Sequence, residues 1–433
     1  MFSSGAAVQS VSADKPCRCV EALPTATSAT LDGGDSLGAG ADAALDDFDE
    51  VHADKHLFLA GTQRLGAEED TGDANEIVLF EYLEAGNKLE TRARMKHPGE
   101  VWQLAPHATR RDLLLTIAGT GVERQGMLFR FDADAGSLNE LARVPTTTDH
   151  TLRKLLWHPP ETSAAGSLGG EDFEDDHELS ERFLAVHDGL VRLWDVEQSL
   201  TQMDDIGTCS LPSPRSLGAA CWDPHHIHEV SVGSGDKVVG IDLRSMEITR
   251  RIDGAHKLGV RDLDYNPNKP YHLVTGGEDR RVKFWDVRKP DQPLKVILAH
   301  DHWVGAVRYN RFHDQLVLSA GTDSHVSLWR LSSISSAPLL GLDDDDDDAS
   351  DVGNDSDDPD DRDTDAHSKG GASTAASTSE TADGLVKSYE DHADSVYSVA
   401  WSAAEAWVFA SLSIDGKLVV NHVPSAEKYK ILL

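Results

Sequence analysis

Residues 255–287 read AHKLGVRDLDYNPNKPYHLVTGGEDRRVKFWDV, and the same frame returns twice downstream. It reappears as AHDHWVGAVRYNRFHDQLVLSAGTDSHVSLWRL at 299–331 and as DHADSVYSVAWSAAEAWVFASLSIDGKLVVNHV at 391–423. In each copy a histidine precedes an aspartate by 23 positions: His256 and Asp279, His300 and Asp323, His392 and Asp415. A hydroxyl residue stands four before the aspartate (Thr275, Ser319, Ser411), and Trp285 or Trp329 stands six after it, with Asn421 in that place in the third copy. Between these markers run apolar segments of strand length bounded by Gly, Asp and Asn, the pattern of short antiparallel strands. Three coincidences of one long spacing make this an internal repeat.

Asp279 and Asp323 lie 44 positions apart, the period of a WD-repeat blade of four strands. Asp415 follows 92 positions later, but residues 343–385 are Asp, Ser, Thr, Ala and Gly without a strand pattern, so one repeat carries an insertion. Weaker copies fill the first half. HDGLVRLWDV places Asp188 six before Trp194, SGDKVVGIDLR has Ile241 where the Trp would be, and HPGEVWQLAP and EIVLFEYL supply strands near His97 and Ile77. Setting aside 1–50, 161–177 and 343–385 leaves 323 residues, close to seven blades of about 46. The sequence thus predicts an all-β, seven-bladed WD-repeat β-propeller over 51–433. It further predicts a disordered N-terminal arm at 1–50, with CRCVEAL as the candidate opening strand, and disordered acidic insertions at 161–177 and 343–385.

Ser, His and Asp together invite the thought of a nucleophilic triad. A nucleophile is needed once per protein, however, and this set recurs once per blade. Its expected role is structural: a buried chain from Trp through hydroxyl and His to Asp, each charge-assisted link contributing roughly 1.5–3 kcal/mol. The expectation is therefore a chain that is not an enzyme and holds no cofactor or metal. Gly119-Thr-Gly121 is a lone GxG in a turn, and DADAGSLNE from Asp132 reaches its Glu140 too early for a calcium loop. Pro224-His225-His226-Ile227-His228 falls where other blades have polar loops. The four cysteines, Cys17, Cys19, Cys209 and Cys221, are too few and scattered for a disulfide framework and read as reduced thiols.

The net charge is −35, yet the tracts 32–54, 68–76, 171–181 and 343–365 carry −33 of it. The blades are therefore nearly neutral, and the acidity marks the arm and the loops. Such a chain is not expected to bind nucleic acid or anionic lipid, both of which need clustered Lys and Arg. No apolar run approaches the ~20 residues of a membrane-spanning helix, so direct membrane insertion is not expected either.

The runs NPNK, HDQLVL and SSISSAP and the ending KYKILL narrow the match within WD-repeat proteins. With FLAGTQRL, HPGEVWQLAP and CWDPHHIHEV, they make the chain resemble the family of EARP and GARP complex-interacting proteins over most of 52–433. The N-terminal 50 residues do not clearly match, and the Asp-rich insertion is longer than the family leads one to expect. The resemblance implies a non-catalytic adaptor with EARP/GARP tethering-complex subunits as partners, supporting endosomal recycling and endosome-to-Golgi retrograde traffic. It also implies a monomeric, cytoplasmic propeller held at endosomes and the trans-Golgi network through those partners.

A propeller recognises partners with loops on a rigid disc. In the clear repeats the candidates lie between the His and the first strand and just before the turn Asp: Lys257, Leu258, His302, Trp303, Asp394, Ser395, Glu278, Thr322 and Ile414. Trp303 leads, since aromatic residues and Arg dominate interface hot spots; the competing role for it is to plug the central channel. A different class of function attaches to Trp285-Asp286-Val287-Arg288. This W-D-x-R run is similar to that of substrate receptors of cullin-RING ubiquitin ligases, with Arg288 as the adaptor contact. The plainer role for Arg288 is to cap the turn.

Overall fold

The computed structural model describes residues 5–11, 15–24, 55–64, 74–120, 123–145, 149–159, 181–197, 199–336 and 383–432. Their strands form seven four-stranded antiparallel sheets, the blades of a propeller. Blade 1 comprises Cys17–Ala22, Lys55–Thr62, Asn75–Leu83 and Lys88–His97, and blade 2 Glu100–Pro106, Leu113–Thr120, Glu123–Asp132 and Ser137–Arg143. Blade 3 comprises Leu152–Trp157, Glu181–His187, Leu190–Val196 and Met203–Ser210, and blade 4 Ala220–Trp222, Glu229–Ser234, Lys237–Asp242 and Glu247–Ile252. Blade 5 comprises Val260–Tyr265, His272–Gly277, Arg281–Asp286 and Lys295–Leu298, and blade 6 Val304–Tyr309, Leu316–Gly321, Val326–Arg330 and Gly384–Tyr389. Blade 7 takes Val396–Trp401, Val408–Ser413 and Lys417–His422 from the C-terminal end and its outermost strand, Ala7–Ser10, from the N-terminal end.

Side-chain character follows distance from the axis. The second strands HLVTGG, LVLSAG and VFASLS are buried at every position, because blades pack on both of their faces. The outer strands KVIL and GLVKSY alternate half-buried and exposed residues up to the buried Tyr389 that ends the second, having solvent on one side. The core consequently lies between blades. Phe284, Val274 and Val282 of blade 5 meet Val307, Tyr309 and Val317 of blade 6, and Phe58, Phe80 and Tyr82 of blade 1 meet Val408, Ala410 and Leu418 of blade 7. Burying each such aromatic or aliphatic side chain stabilises the fold by about 1.5–3 kcal/mol. The helix Ser425–Leu432 follows blade 7, and its buried Glu427 pairs with Arg330 of blade 6 at 3.0 Å. No helix among the described residues is long and apolar enough to cross a membrane.

Two expected boundaries need correction. The stretch 1–50 is not an arm throughout: Ala7–Ser10 closes blade 7, while the candidate opening strand CRCVEAL does contain the inner strand of blade 1, Cys17–Ala22. Backbone pairing decides this, since Ala7 to Ser10 run opposite Val420 to Lys417 and satisfy what would otherwise be a bare sheet edge. The insertion placed at 343–385 overshoots, for Asp383 bonds the backbone N–H of Ser333 and Gly384 and Leu385 already belong to the outer strand of blade 6. The rest of that insertion and the one at 161–177 lie outside the described residues.

Candidate functional site

Call upper the face bearing the turns between second and third strands and the connections from blade to blade. In blade 5 the repeated residues meet there. Trp285 Nε1 donates to Thr275 Oγ1 at 3.0 Å, His256 Nε2 lies 2.9 Å from the same hydroxyl, and His256 Nδ1 lies 2.7 Å from Asp279. Blade 6 repeats the chain through Trp329, Ser319 (2.9 and 2.8 Å), His300 and Asp323 (3.1 Å). Burial acts to raise both carboxyls, but hydrogen bonds from the histidines and from the N–H groups of Lys257 and Asp301 hold them down at about 2. Burial in turn lowers His256, so the imidazole is neutral. It then donates from Nδ1 and accepts the hydroxyl proton at Nε2, and every member of the chain is satisfied.

Blade 7 differs by one residue. Where blades 5 and 6 have Gly277 and Gly321 two before the aspartate, it has Ser413. His392 accordingly bonds Ser413 Oγ at 2.8 Å, and Ser413 donates to Asp415 at 2.5 Å, so a hydroxyl is interposed between His and Asp. His392 Nε2 keeps its link to Ser411 at 2.7 Å. The glycines matter because a Cβ on Gly321 would stand 2.3 Å from Asp323 Oδ1 and 2.4 Å from His300 Nδ1. Gly321→Ala is therefore expected to cost about 2–3 kcal/mol in urea unfolding. Gly321→Ser, which can insert its hydroxyl as Ser413 does, is expected to cost less.

Asp188 and Trp194 do not form this network. Asp188 instead takes both prongs of Arg153, at 2.9 and 2.5 Å, and Trp194 Nε1 is buried with no hydrogen-bond partner among the described residues. The cause is local: Leu184 occupies the hydroxyl position four before Asp188.

Five upper-face candidates come together. Lys257, Leu258, Glu278, His302 and Trp303 line an open cleft of about 430 Å³ with Asp279, Arg280 and Arg281. Trp303 is 38% exposed and carries the Arg261 guanidinium 4.7 Å above its ring, so it stands on the rim as a supported aromatic face. Glu278 is engaged by Arg261 at 3.0 Å. Thr322 donates its N–H to the Trp303 carbonyl, and Ser395 bonds the Thr322 carbonyl. Asp394 and Ile414 belong to this blade 6–7 side and do not line the cleft. Arg288 forks onto Asp286 of its own motif at 2.9 and 2.7 Å and lies 4.5 Å over Tyr271, which is the geometry of a turn cap.

Two groups of described residues have ligand atoms close enough to share a metal ion: His56 with Glu84 and Glu405, and Asp223 with His226 and Glu229. In the second, which includes part of the histidine-rich loop, Asp223 already accepts from His226 at 3.0 Å and from the His225 N–H at 2.9 Å. Cys17 and Cys19 are buried free thiols, and burial pushes Cys17 up to about 12, far from reactive.

A feature of the channel escaped the sequence reading. In six inner strands the pairing register slips around the second residue, at Arg18, Trp102, Arg153, Arg261, Gly305 and Tyr397. A bulge re-aims its side chain, and here it brings residues of different blades together. The Arg18 guanidinium of blade 1 lies 5.0 Å from the Trp102 ring of blade 2 and 4.6 Å from the Tyr397 ring of blade 7. Deeper in the channel the charges are paired: Lys154 stands 3.6 Å from Asp262, which also binds Arg308.

Comparison with known proteins follows the same blades. The EIPR1 β-propeller family profile matches residues 34–329, and a WD domain, G-beta repeat, matches 383–420. The chain is 36% identical to human "EARP and GARP complex-interacting protein 1" over 392 residues, covering 88% of this chain and 94% of that protein. It is 29% identical to "EARP-interacting protein 1" of Caenorhabditis elegans, covering 87% and 92%. It is 27% identical to "WD repeat-containing protein DWA2" of Arabidopsis thaliana, covering 86% and 92%.

Proposed function

The chain belongs to the EIPR1 β-propeller family, and from that premise we propose that it is a non-catalytic adaptor for endosomal tethering complexes of the EARP and GARP type. In this reading it supports endosomal recycling and endosome-to-Golgi retrograde traffic. It stays cytoplasmic and reaches endosomes and the trans-Golgi network through its partners. The observation that carries the proposal is the name of its relatives, joined to high mutual coverage: the alignment spans 88% of this chain and 94% of the human protein. The chemistry agrees, since the Ser/Thr-His-Asp sets are spent on holding turns in blades 5, 6 and 7. Partners would dock on the upper face, with the Trp303 cleft as the anchor point.

The test is affinity purification from cells expressing the tagged chain, quantified for tethering subunits and for cullin with its adaptor. Tethering subunits should be enriched, and Trp303→Ala should lower their recovery about tenfold with no change in melting temperature. Recovery of cullin instead, abolished by Arg288→Ala, would replace this proposal with the ligase-receptor reading.

A further inference from the structure

The mouth of the channel holds more cationic groups than its carboxylates match. Arg153 is taken up by Asp188, and Arg261 by Glu278, which Arg215 also approaches at 3.5 Å. Arg18 and Arg124 have no carboxylate within ion-pair distance among the described residues, and the buried Arg18 Nε has no hydrogen-bond partner. Both are held by aromatic faces instead: Arg124 lies 3.7 Å over Trp102, and Arg18 wedges between Trp102 and Tyr397. Burial depresses Arg124 to about 10, and the fields of Arg153 and Arg18 add to it, opposed by those of Asp188 and of Glu100, which accepts from Trp102 Nε1 at 3.1 Å. Arg18 is lowered by burial and by Arg261 of blade 5. Blades 1 and 5 are not neighbours, so those two charges face each other across the axis. Guanidinium groups stacked in this way leave their N–H edges free, and that fork fits carboxylate or phosphate oxygens.

We infer that the channel mouth is a binding site for an acidic segment of a protein partner, its carboxylate or phosphate oxygens received by Arg18 and Arg124. The adjoining cleft decides for a peptide. Arg261 connects the mouth to Trp303, and Trp303 with Leu258 offers an apolar seat for a neighbouring side chain. A peptide can seat one anionic side chain at Arg18 and Arg124 and lay an apolar neighbour in the cleft, whereas a nucleic acid would run a phosphate at every step past Glu278 and Asp279, which line that cleft. The inference rests on the upper face being the docking face, but not on which partner docks.

Fluorescence anisotropy on the full chain tests it. The probes are a fluorescein-labelled leucine–glutamate repeat peptide, its leucine–phosphoserine counterpart and an oligothymidine of equal length. At least one peptide should bind saturably, and the tighter of the two identifies the anion. Arg18→Gln and Arg124→Gln should each weaken it about tenfold. Raising salt from about 50 to about 300 mM should weaken it further. Arg124 is the second residue of the strand Glu123–Asp132, half-buried opposite Gly119 at the turn end of the sheet. A glutamine keeps that backbone pairing, so Arg124→Gln should melt close to wild type and remain informative where Arg18→Gln unfolds. Three results would overturn the inference: no saturable peptide binding, equal affinity in wild type and Arg124→Gln, or oligothymidine competing as well as the peptides. Capture of tethering subunits without peptide binding removes this inference alone. Peptide binding by a chain that captures no tethering subunit removes the partner proposal alone.

Discussion

Deleting residues 1–12 is expected to lower the melting temperature by on the order of 10 °C and to drive the protein into aggregates. The segment closes the ring. Ala7 to Ser10 pair with Val420 to Lys417, and Val11 N–H bonds the Gly416 carbonyl at 2.8 Å. It also stitches blade 7 to blade 1. Gln9 reaches Thr91 at 3.2 Å, Arg94 donates to the Val11 carbonyl at 2.9 Å, and Asn87 donates to the Gly5 carbonyl at 2.9 Å. At about 1 kcal/mol net per hydrogen bond, and roughly 2 for burying Ala7 and Val11, the loss is on the order of 6 kcal/mol. What remains exposes the third strand of blade 7, Lys417–His422, as a free edge next to an opened seam. Thermal unfolding with light scattering reads both effects. A truncated chain that melts with the wild type and stays monodisperse would show that the ring holds without this strand.

That closure was invisible in the sequence for a physical reason. AVQS is four residues with little apolar alternation, and its pairing partner lies about 410 positions away, beyond any local periodicity. The repeats of blades 5 to 7 were legible because His, hydroxyl and Asp, with Trp in blades 5 and 6, must meet at the upper end of one blade, which fixes their spacing. Blade 3 shows the limit of that rule. The Asp188–Trp194 spacing survives while Leu184 removes the hydroxyl, so the network is lost and Asp188 turns to Arg153. Blade 2 keeps only the first half, with His97 Nε2 3.0 Å from Thr116 Oγ1, the same 19-residue separation as His256 and Thr275. The cleft candidates followed from loop position alone. The arginine mouth did not, because a bulge is a property of pairing and leaves no mark in composition. Aligning the first residues of the inner strands would have shown it, with Arg18, Arg153 and Arg261 sharing one place.

Stability should fall steeply as pH drops from about 6.5 toward 4, in a window set by histidines rather than carboxylates. His97, His187 and His392 are each depressed to about 4, by burial first. The Gly99 carbonyl only partly offsets this at His97, the His150 carbonyl does the same at His187, and Lys417 reinforces it at His392. An ordinary histidine titrates near 6.5, so the unfolded chain takes up these protons first on acidification. The contribution of each is complete above the unfolded value and is lost as pH falls toward the folded one. One such site gives a slope of about 1.4 kcal/mol per pH unit, and three together about 4. Asp279 and Asp323, held at about 2, are fully ionised throughout this window and lose their contribution only below the ordinary aspartate range. The slope between pH 6 and pH 5 thus reports the imidazoles, opposed only by carboxyls that burial raises, such as Glu21. Urea unfolding at those pH values measures it, and His97→Gln, whose amide can still reach Thr116, should reduce it by about 1.4 kcal/mol per pH unit. A pH-independent midpoint would mean that these histidines are carried charged in the fold. Their hydrogen bonds argue otherwise: His97 Nδ1 lies 2.8 Å from the Gly99 carbonyl, which takes its single N–H and leaves Nε2 to accept from Thr116.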